Sequence, residues 1–283
     1  MSQTRSALAP CARPPSARLT VLLNVIALLV ALGIGTTSAA SDSDLLPFVA
    51  GEELLYEVSW LGIGVGSASM RIELPSADTD PSHLRLVSLA RTKPFIDNFY
   101  KVEDHVESLF DPATRTTRFF RIRQREGSYR SFREMTFEPS KRRVLYQKNG
   151  KEPQTIALDS MVQDPLSILY AVRAMSLSVG QSVHMSIFDR GETWNAEVRI
   201  LEREQLQLPI GTFKTLKVQP ILHEASIFQK KGEMFVWLTD DAQHVPVQMR
   251  STIMIGTVEA QLIEAKGVTL TTYDLPTPTR PFK

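Results

Sequence analysis

The sequence predicts a mainly β fold: a strongly curved antiparallel sheet or partly open β-barrel with one short helix packed on it. Three observations carry this expectation. Alternation of apolar and polar residues recurs from Leu54 to about Thr272, turn residues punctuate it, and one segment alone, opening at Asp164-Pro165, shows helical spacing.

The predicted strands of the first half cover residues 54–60, 67–74, 84–90, 100–111, 119–126, 129–137 and 143–148. The clearest is 100–111, where Tyr100, Val102, Val106 and Phe110 share one face and Lys101, Glu103, His105 and Glu107 share the other, the pattern of a half-buried strand. Pro75-Ser76-Ala77-Asp78, Asp111-Pro112, Glu126-Gly127-Ser128 and Asn149-Gly150 supply the turns between strands. Asp164 is a good N-cap with proline at the first helical position, and Leu166, Leu169, Tyr170 and Arg173 then follow at helical spacing. The spacing predicts a helix over 165–175 whose apolar face lies on the concave side of the sheet. Arg173 shares that face, so it is expected to pair with a sheet carboxylate and hold the helix in place.

In the second half, Asp189-Arg190-Gly191-Glu192 reads as a hairpin turn into a strand at 193–204, followed by strands at 213–219, 233–238, 247–255 and 257–264. The expected organisation is a leader at 1–40, a β-rich domain at 41–274 with halves at about 45–160 and 180–272 joined by the helix, and a proline-rich tail at 275–283.

The leader sets the compartment. Arg5, Arg13 and Arg18 precede a nearly unbroken apolar run from Leu19 to Ile34, and small residues follow up to Ala40. This is the three-part pattern of a secretory signal, with cleavage expected after Ala40 and Ser38 at −3. An uncleaved anchor is the competing reading, although the run is at or just below the ~17–25 residues that span a bilayer. Both readings put the body of the protein across the inner membrane, in the periplasm. The one cysteine, Cys11, precedes the apolar run, which argues against lipid attachment, and its removal leaves a chain without disulfides. Three of the 32 Lys and Arg residues lie in the leader, leaving 29 against 31 acids and a mature net charge of about −2. That balance argues against bulk nucleic-acid binding.

No constellation reaches a catalytic motif. Gly62-Ile63-Gly64-Val65-Gly66 lacks the G-x-G-x-x-G spacing and a following helix, and reads as a tight bend or close backbone approach. His83, His105, His184, His223 and His244 are scattered, so no metal site and no cofactor are expected. Glu103, His105 and Glu107 on one strand face fit a solvated surface better than a ligand set. The most unusual feature is a run of arginines, Arg115, Arg118, Arg121, Arg123, Arg125, Arg130 and Arg133, interleaved with Phe119, Phe120, Tyr129 and Phe132. Guanidinium groups in a row suit phosphate or carboxylate partners, so Arg121, Arg123, Arg125, Tyr129 and Arg133 form the candidate ligand-binding set. In an envelope compartment the expected partners are lipid, lipopolysaccharide or acidic glycan.

Several segments together resemble an exported bacterial family, domain of unknown function 3108. They are Gly51-Glu52-Glu53-Leu54-Leu55-Tyr56 with Gly62 to Ala68, Phe99-Tyr100-Lys101-Val102-Glu103-Asp104, Asp164 to Arg173, Gly211 to Val218, and Val236-Trp237-Leu238-Thr239-Asp240-Asp241 with Val245-Pro246-Val247. The resemblance implies a periplasmic β-rich protein and supplies no catalytic residues. Three readings of function follow. The first is a non-enzymatic binding or envelope-maintenance protein that holds an apolar or amphipathic ligand in the curved sheet. The second is a glycan- or peptidoglycan-acting enzyme using Glu103, Glu107 or Asp104 as acid/base. The third is a scaffold that binds another envelope protein through a sheet edge.

Overall fold

A computed structural model describes residues 46–74, 82–222, 233–253 and 255–273. The leader, the turn at 75–78 and the tail at 275–283 fall outside the described residues. The chain runs through β1 (Glu53–Trp60), β2 (Ile63–Glu73), β3 (Leu84–Thr92), helix α1 (Pro94–Tyr100), β4 (Glu103–Asp111), β5 (Thr116–Glu126), β6 (Tyr129–Glu138), β7 (Arg143–Lys148) and β8 (Gln154–Ala157). Helix α2 (Ser167–Arg173) leads to β9 (Ser182–Asp189), β10 (Glu192–Leu208), β11 (Gly211–Leu222), β12 (Met234–Thr239), β13 (Pro246–Ile253) and β14 (Gly256–Lys266).

The fourteen strands form one antiparallel sheet in the order β8-β7-β6-β5-β4-β3-β2-β1-β14-β13-β12-β11-β10-β9. The first and last strands pair, Leu54 opposite Ala265 and Val58 opposite Ala260. The two edges are therefore β8 and β9, which follow one another in the chain across α2. This is the connectivity of an up-and-down barrel whose ladder is interrupted at one place. Side chains bring the edges together: the Phe188 ring of β9 meets Phe137 of β6 and Tyr146 of β7 edge-on, each at 6.1 Å. Segment 160–163 covers part of the β9 edge, where Gln163 bonds the backbone of Ser186 and Phe188. The β8 edge is left four residues long.

Turn chemistry follows the sequence. Arg190 and Gly191 both take positive φ in the β9–β10 hairpin, as do Asn149 and Gly150 after β7. At Gly66 a Cβ would come within 2.4 Å of the Arg91 carbonyl oxygen, so the glycine permits the close strand approach expected of this run.

The strand read at 100–111 departs from the sequence reading, and β8 has no counterpart in it. Residues 94–100 are a helix, and β4 begins at Glu103 rather than Tyr100. Pro94 sits in the first turn of α1, and the Thr92 hydroxyl bonds Asp97, so the β3–β4 connection closes through one helical stretch. The ring of Tyr100 lies over Gly127, and Val102 is buried just ahead of β4 in a bridge with Glu126, so both continue the apolar face without belonging to the strand.

Every residue of α2 is buried. The helix fills the middle of the concavity rather than lying on a rim. Asp164 accepts hydrogen bonds from the backbone N–H groups of Leu166 (2.7 Å) and Ser167 (2.9 Å), a side-chain turn that leads into the helix, which starts at Ser167 rather than Pro165. Its second oxygen accepts the hydroxyls of Ser108 on β4 and Thr117 on β5, both at 2.5 Å, which ties the helix start to the sheet. At the other end Arg173 meets Glu52 in a two-pronged pair, Nη1 to Oε1 at 2.6 Å and Nη2 to Oε2 at 2.8 Å. The guanidinium also lies over the rings of Phe48 (5.0 Å) and Tyr170 (5.3 Å). The partner expected for Arg173 is thus Glu52, one residue ahead of β1.

Removing one member strands a buried charge, so Arg173→Ala or Glu52→Ala should cost about 3–5 kcal/mol in denaturant unfolding. The exposed Lys93–Glu57 pair provides the contrast: Lys93→Ala should cost about 0–1 kcal/mol in the same measurement.

Candidate functional site

The strand period of two divides the predicted arginine set. Arg121, Arg123 and Arg125 point outward from β5, whereas Arg133 on β6 points inward and is 3% exposed. There Arg133 pairs with Asp189 of β9 and donates from Nη2 to Gln124 Oε1 at 3.0 Å. It therefore helps join β6 to the far edge of the sheet. Tyr129 stands at the β5–β6 turn, partly exposed. Arg121 belongs to a charge ladder across the outer face, 2.8 Å from Glu134 and 3.7 Å from Glu107. Arg125 meets Glu103 at 3.2 Å, and Arg123 lies over the Phe132 ring at 5.8 Å. Arg123 and Arg125 border an outer-face groove of about 360 Å³, together with Arg91, Glu103, His105 and Ser67.

The carboxylates of the enzyme reading are also divided. Glu103 and Glu107 face outward, and Asp104 faces inward beside Glu126. Glu126 is 1% exposed, accepts a hydrogen bond from Gln124 Nε2 at 3.0 Å, and has a second oxygen with no partner among the described residues. Burial first, then the neighbouring Asp104 carboxylate, push Glu126 up to about 9. Burial also raises Asp104, against the Arg125 backbone N–H that it accepts at 2.9 Å. Sequence reasoning missed this inward group, although Asp104, Gln124 and Glu126 share the parity of Val106, Phe120 and Ile122.

An open space lies at the end of the sheet where α2 stops. A cavity of about 720 Å³ is walled by Leu46, Phe48, Val49, Met175 and Val268, with Glu52, Arg173, Gln243 and His244 among its polar lining. Arg173 is fully used by Glu52 and by the Gln243 carbonyl, 3.2 Å from Nε. The Gln243 side-chain oxygen is buried and has no partner among the described residues. His244 adopts φ +44° in the β12–β13 turn and holds its Nδ1 3.0 Å from the Arg173 carbonyl oxygen. The turn is thereby held against the end of α2. A second, mostly apolar cavity of about 360 Å³ opens nearby, between Phe137, Pro139, Leu158, Met161 and Val162. Among the described residues no group of three or more His, Cys, Asp or Glu is placed to hold a metal ion.

These features sit on a known family. The protein of unknown function family DUF3108 matches residues 55–263. The chain belongs to that family. Among solved structures it is similar to a β-barrel-like protein of domain of unknown function DUF1849 from Brucella abortus, with a TM-score of 0.55 at 8% identity over 77% of this chain and 98% of that one. Looser likenesses reach a candidate lipoprotein from Parabacteroides distasonis (TM-score 0.32, 11% identity, 78% and 98% covered) and the hypothetical protein CT021 from Chlamydia trachomatis (0.29, 10%, 83% and 96%). The first likeness is one of fold alone and puts the sheet among β-barrel-like proteins; the other two superpose too loosely to add to it. No curated protein matches the sequence.

The buried acid pair has a direct consequence for stability. A carboxyl whose folded pKa lies above its unfolded value favours folding when protonated, and this advantage is lost as pH rises from the unfolded value of 4.5 toward about 9. Glu126→Gln keeps the neutral shape without the titration. It should raise the melting temperature more at pH 8 than at pH 5, as followed by circular dichroism at both values.

Proposed function

We propose that this DUF3108 protein is a non-catalytic binding protein of the bacterial envelope, and that an apolar or amphipathic ligand occupies the cavity beside the end of α2. The observation that carries this reading is the cavity itself. Its volume falls within the roughly 300–1,000 Å³ of small-molecule sites, and its lining is about equally apolar and polar, which suits an amphipathic molecule. Phe48, Met175 and Val268 suit an alkyl or ring moiety. Gln243 and His244 place polar groups at the ligand's polar end. The ligand sits at the mouth, because α2 already fills the centre of the concavity.

The acid/base reading is less well supported. Glu103 and Glu107 lie on the opposite side of the sheet from Asp104, and Glu126 borders none of the three cavities described above. The signal-like start of the chain supports a periplasmic location.

Organic extracts of the purified mature protein, analysed by mass spectrometry, should contain a stoichiometric amphipathic lipid. Delipidated protein should take up dansyl-undecanoate with a blue-shifted emission. Met175→Trp, which fills the cavity, should weaken that uptake about tenfold or more with little change in melting temperature. Lipid-free protein that gives no dansyl signal, or a Met175→Trp variant that binds as well as the parent, would count against the assignment.

A further inference from the structure

The outer-face groove is a separate site, opening through the other side of the sheet. Its position follows from strand register. Ser67 on β2 pairs with Arg91 on β3, which pairs with Glu103 on β4, and Arg125 on β5 reaches that same glutamate. One step along, Ser69 pairs with Leu89, Leu89 with His105, and His105 with Arg123. Adjacent strands are about 4.8 Å apart and same-face residues about 6.8 Å apart, so Arg91, Arg123 and Arg125 frame an area of roughly 10 by 7 Å. Between them stand Leu89, Glu103 and His105, and the short side chains of Ser67 and Ser69 on β2 extend the depression past Arg91.

The charge balance in this groove differs from that of the neighbouring face. One row further, Arg85 is held by Glu73 and Glu107, both at 2.7 Å, and Arg121 by Glu134 and Glu107. In the groove, Glu103 is the outward-facing carboxylate beside three arginines, and Asp104, which also borders it, turns inward. Arg91 and Arg123 have no carboxylate partner among the described residues. Arg123 is nevertheless positioned, because its guanidinium stacks on Phe132. His105 places Nε2 3.3 Å from Glu107, while burial and the cations Arg85 and Arg123 hold its pKa below the ordinary value. The ring is therefore neutral at neutral pH, with Nε2–H directed to Glu107 and Nδ1 left as an acceptor. Among the described residues, no hydrogen-bond partner occupies the hydroxyls of Ser67 and Ser69.

We propose that the groove binds a phosphorylated sugar. Arg91 and Arg123 take the phosphate oxygens, and Ser67, Ser69 and His105 take sugar hydroxyls. Guanidinium forks match phosphate geometry, and the neutral donors and acceptors between them match a polyhydroxylated ring. The same chemistry occurs in a free sugar phosphate and in the headgroup of a phosphoglycolipid. Neither source depends on the cavity beside α2.

The test is calorimetric titration of the mature protein with glucose 1-phosphate, glucose and inorganic phosphate, alongside sedimentation with vesicles of phosphatidylglycerol with or without lipid A. Glucose 1-phosphate should bind saturably and at least about tenfold more tightly than glucose or phosphate alone. Arg91→Gln/Arg123→Gln should lose at least about tenfold, and Arg121→Gln, whose charge is used in the ladder, should stay within about twofold. Binding confined to lipid A vesicles and lost in the double variant would assign the headgroup as the source. Four outcomes would overturn the proposal: saturation by neither sugar phosphate nor lipid A, equal affinity for phosphate and glucose 1-phosphate, co-sedimentation with vesicles that is as strong without lipid A as with it, or a double variant that binds like the parent. A Met175→Trp variant should leave this binding unchanged, which separates the outcome from that of the cavity beside α2.

Discussion

Glu52 and Arg173 meet where neither can be hydrated, and much of the architecture is arranged around that contact. A buried guanidinium is tolerable only when its charge and its donors are met, and here two carboxylate oxygens, a backbone carbonyl and two aromatic faces meet them. Because Glu52 immediately precedes β1 and Arg173 ends α2, the pair joins the start of the sheet to the segment that connects its two open edges. Asp164 does the same at the other end of the helix through Ser108 and Thr117. The helix is thus held at both ends inside a sheet whose own hydrogen bonds do not close.

This arrangement explains why space for a ligand lies at the mouth and not at the centre. The concave face is consumed by α2 and the apolar positions it covers, among them Phe110, Phe120 and Tyr56, all fully buried. Where the helix stops, Met175, Gln243 and His244 line the remaining void with the lead-in residues 46–49. The interior at the opposite end has a different character, with Arg133–Asp189 and Asp104–Glu126 close together. A polar interior of this kind specifies which strands meet across the open seam, at a cost in stability that depends on pH.

Much of the strand pattern was legible because each strand has one buried face, so alternation reports it directly. Arg173 could be recognised as structural because its helical phase coincides with Leu166, Leu169 and Tyr170. Helix α1 was not legible: it has no buried residue, so it imposes no apolar period of 3.6. The arginine run shows the same limit from another side. Arg121, Arg123 and Arg125 share a parity and were read as one group, yet whether each is neutralised depends on Glu134, Glu107 and Glu103 from neighbouring strands. Arg91, thirty residues upstream, joins the group only through register.

By itself, the sequence determined the β class, the buried helix, and the turns at Asn149-Gly150 and Arg190-Gly191. These are local properties, set by side-chain period and by backbone conformations that few residues adopt. The tertiary structure decided that β1 pairs with β14, that Glu52 is the partner of Arg173, and that Asp104 turns inward beside Glu126. It also decided which arginines keep uncompensated charge. Each of these depends on contacts between residues far apart in the chain, and strand order and register are what bring them within range of one another.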